Sequence, residues 1–210
     1  MKIMTLTIPV GFAQTNAYIC YDHNAKKGVL IDPGGEAAKI RAAINKNDIA
    51  ITAILLTHGH LDHIGAVDEL RADLDVAVYA SKKEAALAND QSLNGTALFR
   101  MPPIKVTVDH FLEDGEEIDH GTGIIRVMHT PGHTHGHLSF YLPNNHILYS
   151  GDCLFRDSYG RYDLPTGDFP TLRQSLHTLF TLPPQTIVYP GHGQSTTIEH
   201  EQTNNLIHRD

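Results

Sequence analysis

The 210-residue chain is 41% hydrophobic and 19% charged, long and apolar enough for a core of its own, which excludes a disordered or low-complexity segment. Sixteen Lys and Arg against 24 Asp and Glu give a net charge of −8, which argues against a nucleic acid or an anionic membrane as main partner. Two cysteines, Cys20 and Cys153, exclude a disulfide scaffold and fit a reducing, cytoplasmic setting, whereas fifteen histidines point to metal-ligand chemistry.

Met1–Cys20 lacks the continuous apolar stretch of a signal peptide, and no run approaches the ~20 residues of a membrane span. Lys2–Pro9, Ala17–Tyr21 and Gly28–Ile31 read as strands, rich in Ile, Val, Thr and Tyr. Asp32-Pro33-Gly34-Gly35 is a turn signal, and Glu36–Lys46 carries Ile40 and Ile44 at helical spacing. Ile51–Leu56 is a continuous apolar strand, followed by a helix over Ile64–Leu74 and a strand over Val76–Tyr79. Ser81-Lys82-Lys83-Glu84 reads as a capping box opening the helix Lys82–Asn89. Residues 90–105 look irregular. Val106–Val108, Ile124–His129, His137–Leu142 and His146–Tyr149 then read as strands, with a turn at Pro143-Asn144-Asn145. Gly151–Phe169 lacks periodicity over a length unusual for a passive connection. A helix near Thr171–Leu182, a strand Thr186–Tyr189 and a helix near Thr197–Ile207 complete a chain with no linker, expected as one domain over residues 1–210.

His58-Gly59-His60-Leu61-Asp62-His63 follows the apolar strand directly and holds four potential ligands in six residues. A lone histidine is ordinarily a core or surface residue, but this density is a metal-site pattern. Imidazole and carboxylate suit zinc, iron or manganese. Gly59 is expected to free the backbone so that His58 and His60 turn toward one ion. Asp62 and His63, at the start of the next helix, face another. Three further Gly-flanked loops at strand ends offer single ligands: Pro131-Gly132-His133, Ser150-Gly151-Asp152 and Pro190-Gly191-His192. A weak internal echo pairs Ala53–His60 with Thr186–Gly193, and Val29–Gly34 with Leu148–Asp152, as two β/α halves meeting at one edge would.

Taken in order, Thr57–His63, Pro131–His137, Ser150–Asp152 and Pro190–Gly193 resemble the metallo-β-lactamase superfamily, within it the glyoxalase II-like hydrolases. The resemblance implies a four-layer αββα sandwich with the site along one edge. It implies two divalent ions per chain, zinc first, with iron or manganese as alternatives. His58, His60 and His133 would hold one ion, and Asp62, His63 and His192 the other, with Asp152 bridging both. The implied chemistry is hydrolysis of a small thioester, such as S-lactoylglutathione, by hydroxide held between the ions and aligned by Asp62. His137 matches a position that orients a ligand or faces substrate, and Cys153 is expected to be buried beside the site. Arg161, in Gly160-Arg161-Tyr162-Asp163, is a candidate anion clamp for the substrate, with a loop-stiffening pair to Asp163 as the alternative. The separate helical glutathione-binding domain of longer glyoxalase II enzymes is not expected here. A mononuclear iron persulfide dioxygenase is the alternative activity, with lactone or β-lactam hydrolysis behind it.

Overall fold

A computed structural model describes residues 1–209. Six strands build the first sheet in chain order: β1 (Ile3–Val10), β2 (Thr15–Asp22), β3 (Lys27–Ile31), β4 (Ala50–Leu55), β5 (Ala77–Ala80) and β6 (His110–Phe111). The first three are antiparallel, and β3 to β6 run parallel. The second sheet holds β7 (Glu117–Asp119), β8 (Ile124–His129), β9 (Leu138–Leu142), β10 (Ile147–Gly151), β13 (Ile187–Pro190) and β14 (Thr196–Thr197), in the order 14-13-10-9-8-7. A short ribbon, β11 (Leu154–Phe155) and β12 (Ser158–Tyr159), follows β10.

Period-two alternation sorts the apolar side chains into layers. Tyr18 and Cys20 of β2 and Phe140 and Leu142 of β9 meet between the sheets, with Val29, Leu55 and Tyr149. Ile19, Leu30 and Ile54 face the other way, against Ile40 and Ile44 of α1 (Ala37–Asn47) and Val67 and Leu70 of α3 (Val67–Leu74). Leu148 and Val188 on the far face of the second sheet meet Leu172 and Leu176 of α5 (Phe169–Leu179) and Ile198 of α6 (Ile198–Asn204). The layers run helix, sheet, sheet, helix, as the motifs implied. No helix among the described residues is long and apolar enough to cross a membrane.

Three local expectations are corrected. The helix expected over Ile64–Leu74 is two pieces, α2 (Leu61–Ile64) and α3, because the Pro33–Gly34 turn wedges in between. Ala66 N donates to Pro33 O at 2.9 Å instead of to the helix, and a side chain at Gly65 would strike Gly34 O. Val106–Val108 is no strand. The Asn89 side chain at the end of α4 (Lys82–Ala88) takes both backbone groups of Val106, and the sheet gains β6 two residues further on. Ser81 does cap α4 through Glu84 N at 3.1 Å, but the Glu84 carboxylate does not return the bond.

The two halves of the echo are structurally equivalent. β3 lies parallel to β4 and β10 parallel to β13. Asp32 and His58 leave the ends of the first pair, and Asp152 and His192 those of the second. All four residues emerge at the carboxyl ends of parallel strands, where open α/β sheets ordinarily place their sites.

Candidate metal centre

Three imidazoles converge on one side. His60 Nδ1 lies 2.9 Å from His133 Nε2, which lies 3.2 Å from His58 Nε2. Nitrogens held at about 2.0–2.1 Å by one tetrahedral ion sit about 3.3 Å apart, so these spacings suit a shared cation. On the other side, His192 Nε2 is 3.3 Å from Asp62 Oδ2, and His63 Nε2 is 3.8 Å from the same oxygen. Asp152 stands between them. Its Oδ1 is 3.3 Å from His63 Nε2, and its Oδ2 is 3.5 Å from His192 Nε2 and 3.7 Å from His133 Nε2. Every ligand position expected from the motifs therefore meets at one place.

The outward ring nitrogens of four of the five imidazoles are already committed as donors, while the outward Nε2 of His60 is buried without a partner. Thr57 Oγ1 donates to Asp32 Oδ2 at 2.6 Å, so it accepts from His58 Nδ1 at 3.0 Å. His133 Nδ1 donates to Arg161 O at 2.7 Å, His63 Nδ1 to Asp32 Oδ2 at 2.9 Å and His192 Nδ1 to Ala13 O at 3.2 Å. The Nε2 of each of these four rings is thereby left facing the cluster, the arrangement by which outer partners orient metal-binding imidazoles. His63 Nε2 and Asp152 Oδ1 are buried and make no hydrogen bond. Such groups are costly without a partner, and a divalent cation would satisfy both.

Electrostatics divide the cluster the same way. Burial, with the charge of neighbouring imidazoles, holds His58 well below the ordinary histidine value and His60 down to about 3. Burial also lowers His133. Burial thus favours the neutral, lone-pair-bearing form of these three rings. His63 and His192 resist the same burial because carboxylates surround them; Asp152 and Asp62 raise His63 well above the ordinary value and His192 to about 9. The carboxylates favour a positive charge at those inner nitrogens, whether a proton or a metal ion.

Backbone geometry explains the glycines. A Cβ at Gly191 would lie 2.1 Å from Asp152 Oδ1, so only glycine lets this loop pass the central carboxylate. Gly59 serves a different purpose from the one expected. Its φ is ordinary, and its lack of a side chain lets α4 approach, where a Cβ would meet Ala88 N at 2.8 Å.

His137 is fully buried and turned away from any substrate. Its Nε2 accepts from Asp152 N at 3.1 Å, so its Nδ1 donates to Thr130 Oγ1 at 2.9 Å. Cys153 is buried as expected; its thiol lies in the apolar cluster with Leu148, Leu154 and Leu172 and also meets Thr130, the partner of His137. Arg161 lines the pocket over the cluster, and its guanidinium makes two bonds to Asp163, at 2.7 and 2.8 Å. Sequence reasoning missed Asp32 and Glu84. Asp32, only 2% exposed, accepts from Thr57 N, Thr57 Oγ1 and His63 Nδ1. Its one signal was its place directly after a strand, which the Pro-Gly-Gly turn signal obscured.

A family model described as the Metallo-beta-lactamase superfamily matches residues 10–192. The chain belongs to this superfamily. It is 41% identical over 202 residues to the probable metallo-hydrolase YqgX of Bacillus subtilis (strain 168), covering 94% of each chain. It is 34% identical over 201 residues to the hydroxyacylglutathione hydrolase GloC of Haemophilus influenzae, again covering 94% of each. Among solved structures, the BLEG-1 B3 metallo-beta-lactamase superposes with a TM-score of 0.93 at 41% identity, covering 97% of this chain and 98% of that one. TTHA1623 in a di-iron-bound form superposes with a TM-score of 0.86 at 39% identity, covering 96% and 98%. The superfamily's metallo-hydrolase character thus extends to this chain, whose His/Asp groups suit metal ions.

Proposed function

We propose that the protein hydrolyses a small thioester, with S-lactoylglutathione as the reference substrate. His58, His60 and His133 would hold one divalent ion, and Asp62, His63 and His192 a second, with Asp152 shared. Zinc, iron and manganese all suit this donor set. Ions held there would supply a water of lowered pKa and polarise a carbonyl.

The chain's own groups do the positioning. Asp62 lines the pocket and is fixed by Thr15 Oγ1, which donates to its Oδ2 at 2.9 Å. Alignment of the attacking water is the role this reading gives it. His137 holds the Asp152 backbone, and Asp32 holds His63 and Thr57 together. No serine or cysteine nucleophile is required, and the two cysteines are buried away from the pocket. Their unpaired state agrees with a reducing, cytoplasmic setting.

The observation that carries this reading is the meeting of both ligand groups on Asp152 at the pocket floor. An oxygenase of the persulfide dioxygenase kind needs only the first group. Here the second is complete, with His192 Nε2 within 3.5 Å of both Asp62 and Asp152. The similarity to GloC supports thioester chemistry, and that to a B3 metallo-beta-lactamase makes a β-lactam the first alternative substrate. The test is thiol release from S-lactoylglutathione by metal-loaded protein, measured in air and anaerobically. Equal rates in both support the proposal. Oxygen uptake with glutathione persulfide and no thiol release would overturn it, as would β-lactam turnover alone.

A further inference from the structure

Two aromatic rings project into solvent beside the metal-ligand cluster. Phe12, in the turn between β1 and β2, is 63% exposed, and Phe99 is 48% exposed. Their ring centroids are 5.9 Å apart, with planes inclined at 52°. Both line the pocket whose floor carries Asp62, Asp152 and His192, and Leu61 and Leu164 extend the same apolar wall. A folded chain ordinarily buries such rings, so a contiguous exposed group at a site marks where an apolar partner is covered.

The wall is built rather than loose. Asn94 is fully buried; its carbonyl accepts from Leu61 N at 2.8 Å and its Nδ2 donates to Ala88 O at 2.8 Å. Phe99 N in turn donates to Gly95 O at 3.0 Å. The ring is therefore mounted on the backbone that starts α2, the helix carrying Asp62 and His63.

The pocket's charge points the same way. Among the described residues that line it, Arg161 is the single Lys or Arg. Its guanidinium is occupied by both oxygens of Asp163, so the pair presents no net charge. Glutathione brings two carboxylates and one ammonium, and this mouth offers them rings and a neutralised arginine.

We infer that the site takes thioesters whose non-reacting part is uncharged and apolar, seated against the paired rings of Phe12 and Phe99, and that Asp163 withholds Arg161 from anionic substrates. The inference rests on the thioester reading for its chemistry, but on the wall and the Arg161–Asp163 pair for its selectivity.

The test compares two lactoyl thioesters, one of glutathione and one of benzyl mercaptan, on the metal-loaded enzyme. The benzyl ester is expected to have the higher kcat/KM. The Phe12→Ser/Phe99→Ser pair should lower the benzyl-to-glutathione ratio by ~10-fold or more, since one apolar group in a hydrophobic pocket is worth about 10–200-fold. Asp163→Asn should move the ratio toward the glutathione ester by freeing Arg161. A glutathione preference that neither variant alters would overturn the inference. Binding of N-phenyl-1-naphthylamine, an uncharged fluorescent probe, reads the wall without turnover; it should bind wild type and be lost with the two rings. If the probe needs the rings but neither thioester is cleaved, the apolar site stands and thioester chemistry falls. If thioesters are cleaved but probe binding survives loss of both rings, the apolar site falls and thioester chemistry stands.

Discussion

Glu84 Oε2 accepts a hydrogen bond from Gly59 N at 2.9 Å, across 25 residues of chain. Its other oxygen accepts from Thr134 Oγ1 at 2.7 Å and Gly136 N at 2.8 Å. One carboxylate, 1% exposed, therefore clamps the loop of His58 and His60 to the loop of His133. Burial pushes its pKa up, opposed by those three donors. Removing the acceptor strands buried N–H groups, each costing roughly 1–3 kcal/mol. Glu84→Ala should lower stability by about that amount or more in denaturant titrations. It should also weaken metal binding, because the rings lose their relative placement. Glu84→Gln keeps the shape and one acceptor oxygen and should fall between the two.

Asp32 supports the second ligand group through His63. Loss of an outer partner of a ligating histidine typically costs about 10–100-fold in metal affinity. Asp32→Asn should show that loss most strongly for the ion on His63, which it contacts directly, and less for the ion on His58, which it reaches through Thr57, measured by competition with a chromophoric chelator. Unchanged affinity for both ions would remove Asp32 from the site.

The Arg161–Asp163 pair has its own titration signature. Bonding to Arg161 holds the Asp163 carboxyl down at about 2. A carboxylate with a depressed folded pKa contributes stability above its unfolded value, about 3.9, and loses that contribution as pH falls through the folded value. Because the pair is exposed, the effect on global stability is small, and the titration itself is the readout. Carbon-detected NMR should place the Asp163 midpoint near 2 in the wild type, and Arg161→Ala should return it toward the ordinary carboxylate value.

Cys153 neighbours Asp152 in sequence yet packs among leucines. Cys153→Ala should cost about 1 kcal/mol, the order expected for losing one buried apolar atom, and leave the metal content unchanged. A fall in bound metal would place the thiol in the site.

The ligand loops were legible in sequence because their spacing is short and each follows a strand that alternation or apolar content marks. The sandwich itself was implied by the family resemblance those loops carry. What stayed hidden depends on contacts between distant segments. Asp32 looks like a turn residue until β3 and β4 lie side by side and bring Thr57 to it. Glu84 satisfies a capping-box pattern, but its carboxylate turns inward because three buried donors from two other loops converge there. Val106 has strand composition, yet the Asn89 side chain occupies the backbone groups a neighbouring strand would need. Likewise, the Pro33–Gly34 turn that splits α2 from α3 acts across 31 residues or more, beyond any periodic signal.

The most direct measurement is metal stoichiometry by elemental analysis of purified, metal-supplemented protein, beside His192→Ala and Asp152→Ala. Two ions per chain are expected in the wild type and one in His192→Ala. Asp152→Ala should weaken both, because its carboxylate faces His133 of one ligand group and His63 and His192 of the other. One ion per wild-type chain, with that number unchanged by His192→Ala, would contradict a two-ion centre shared through Asp152.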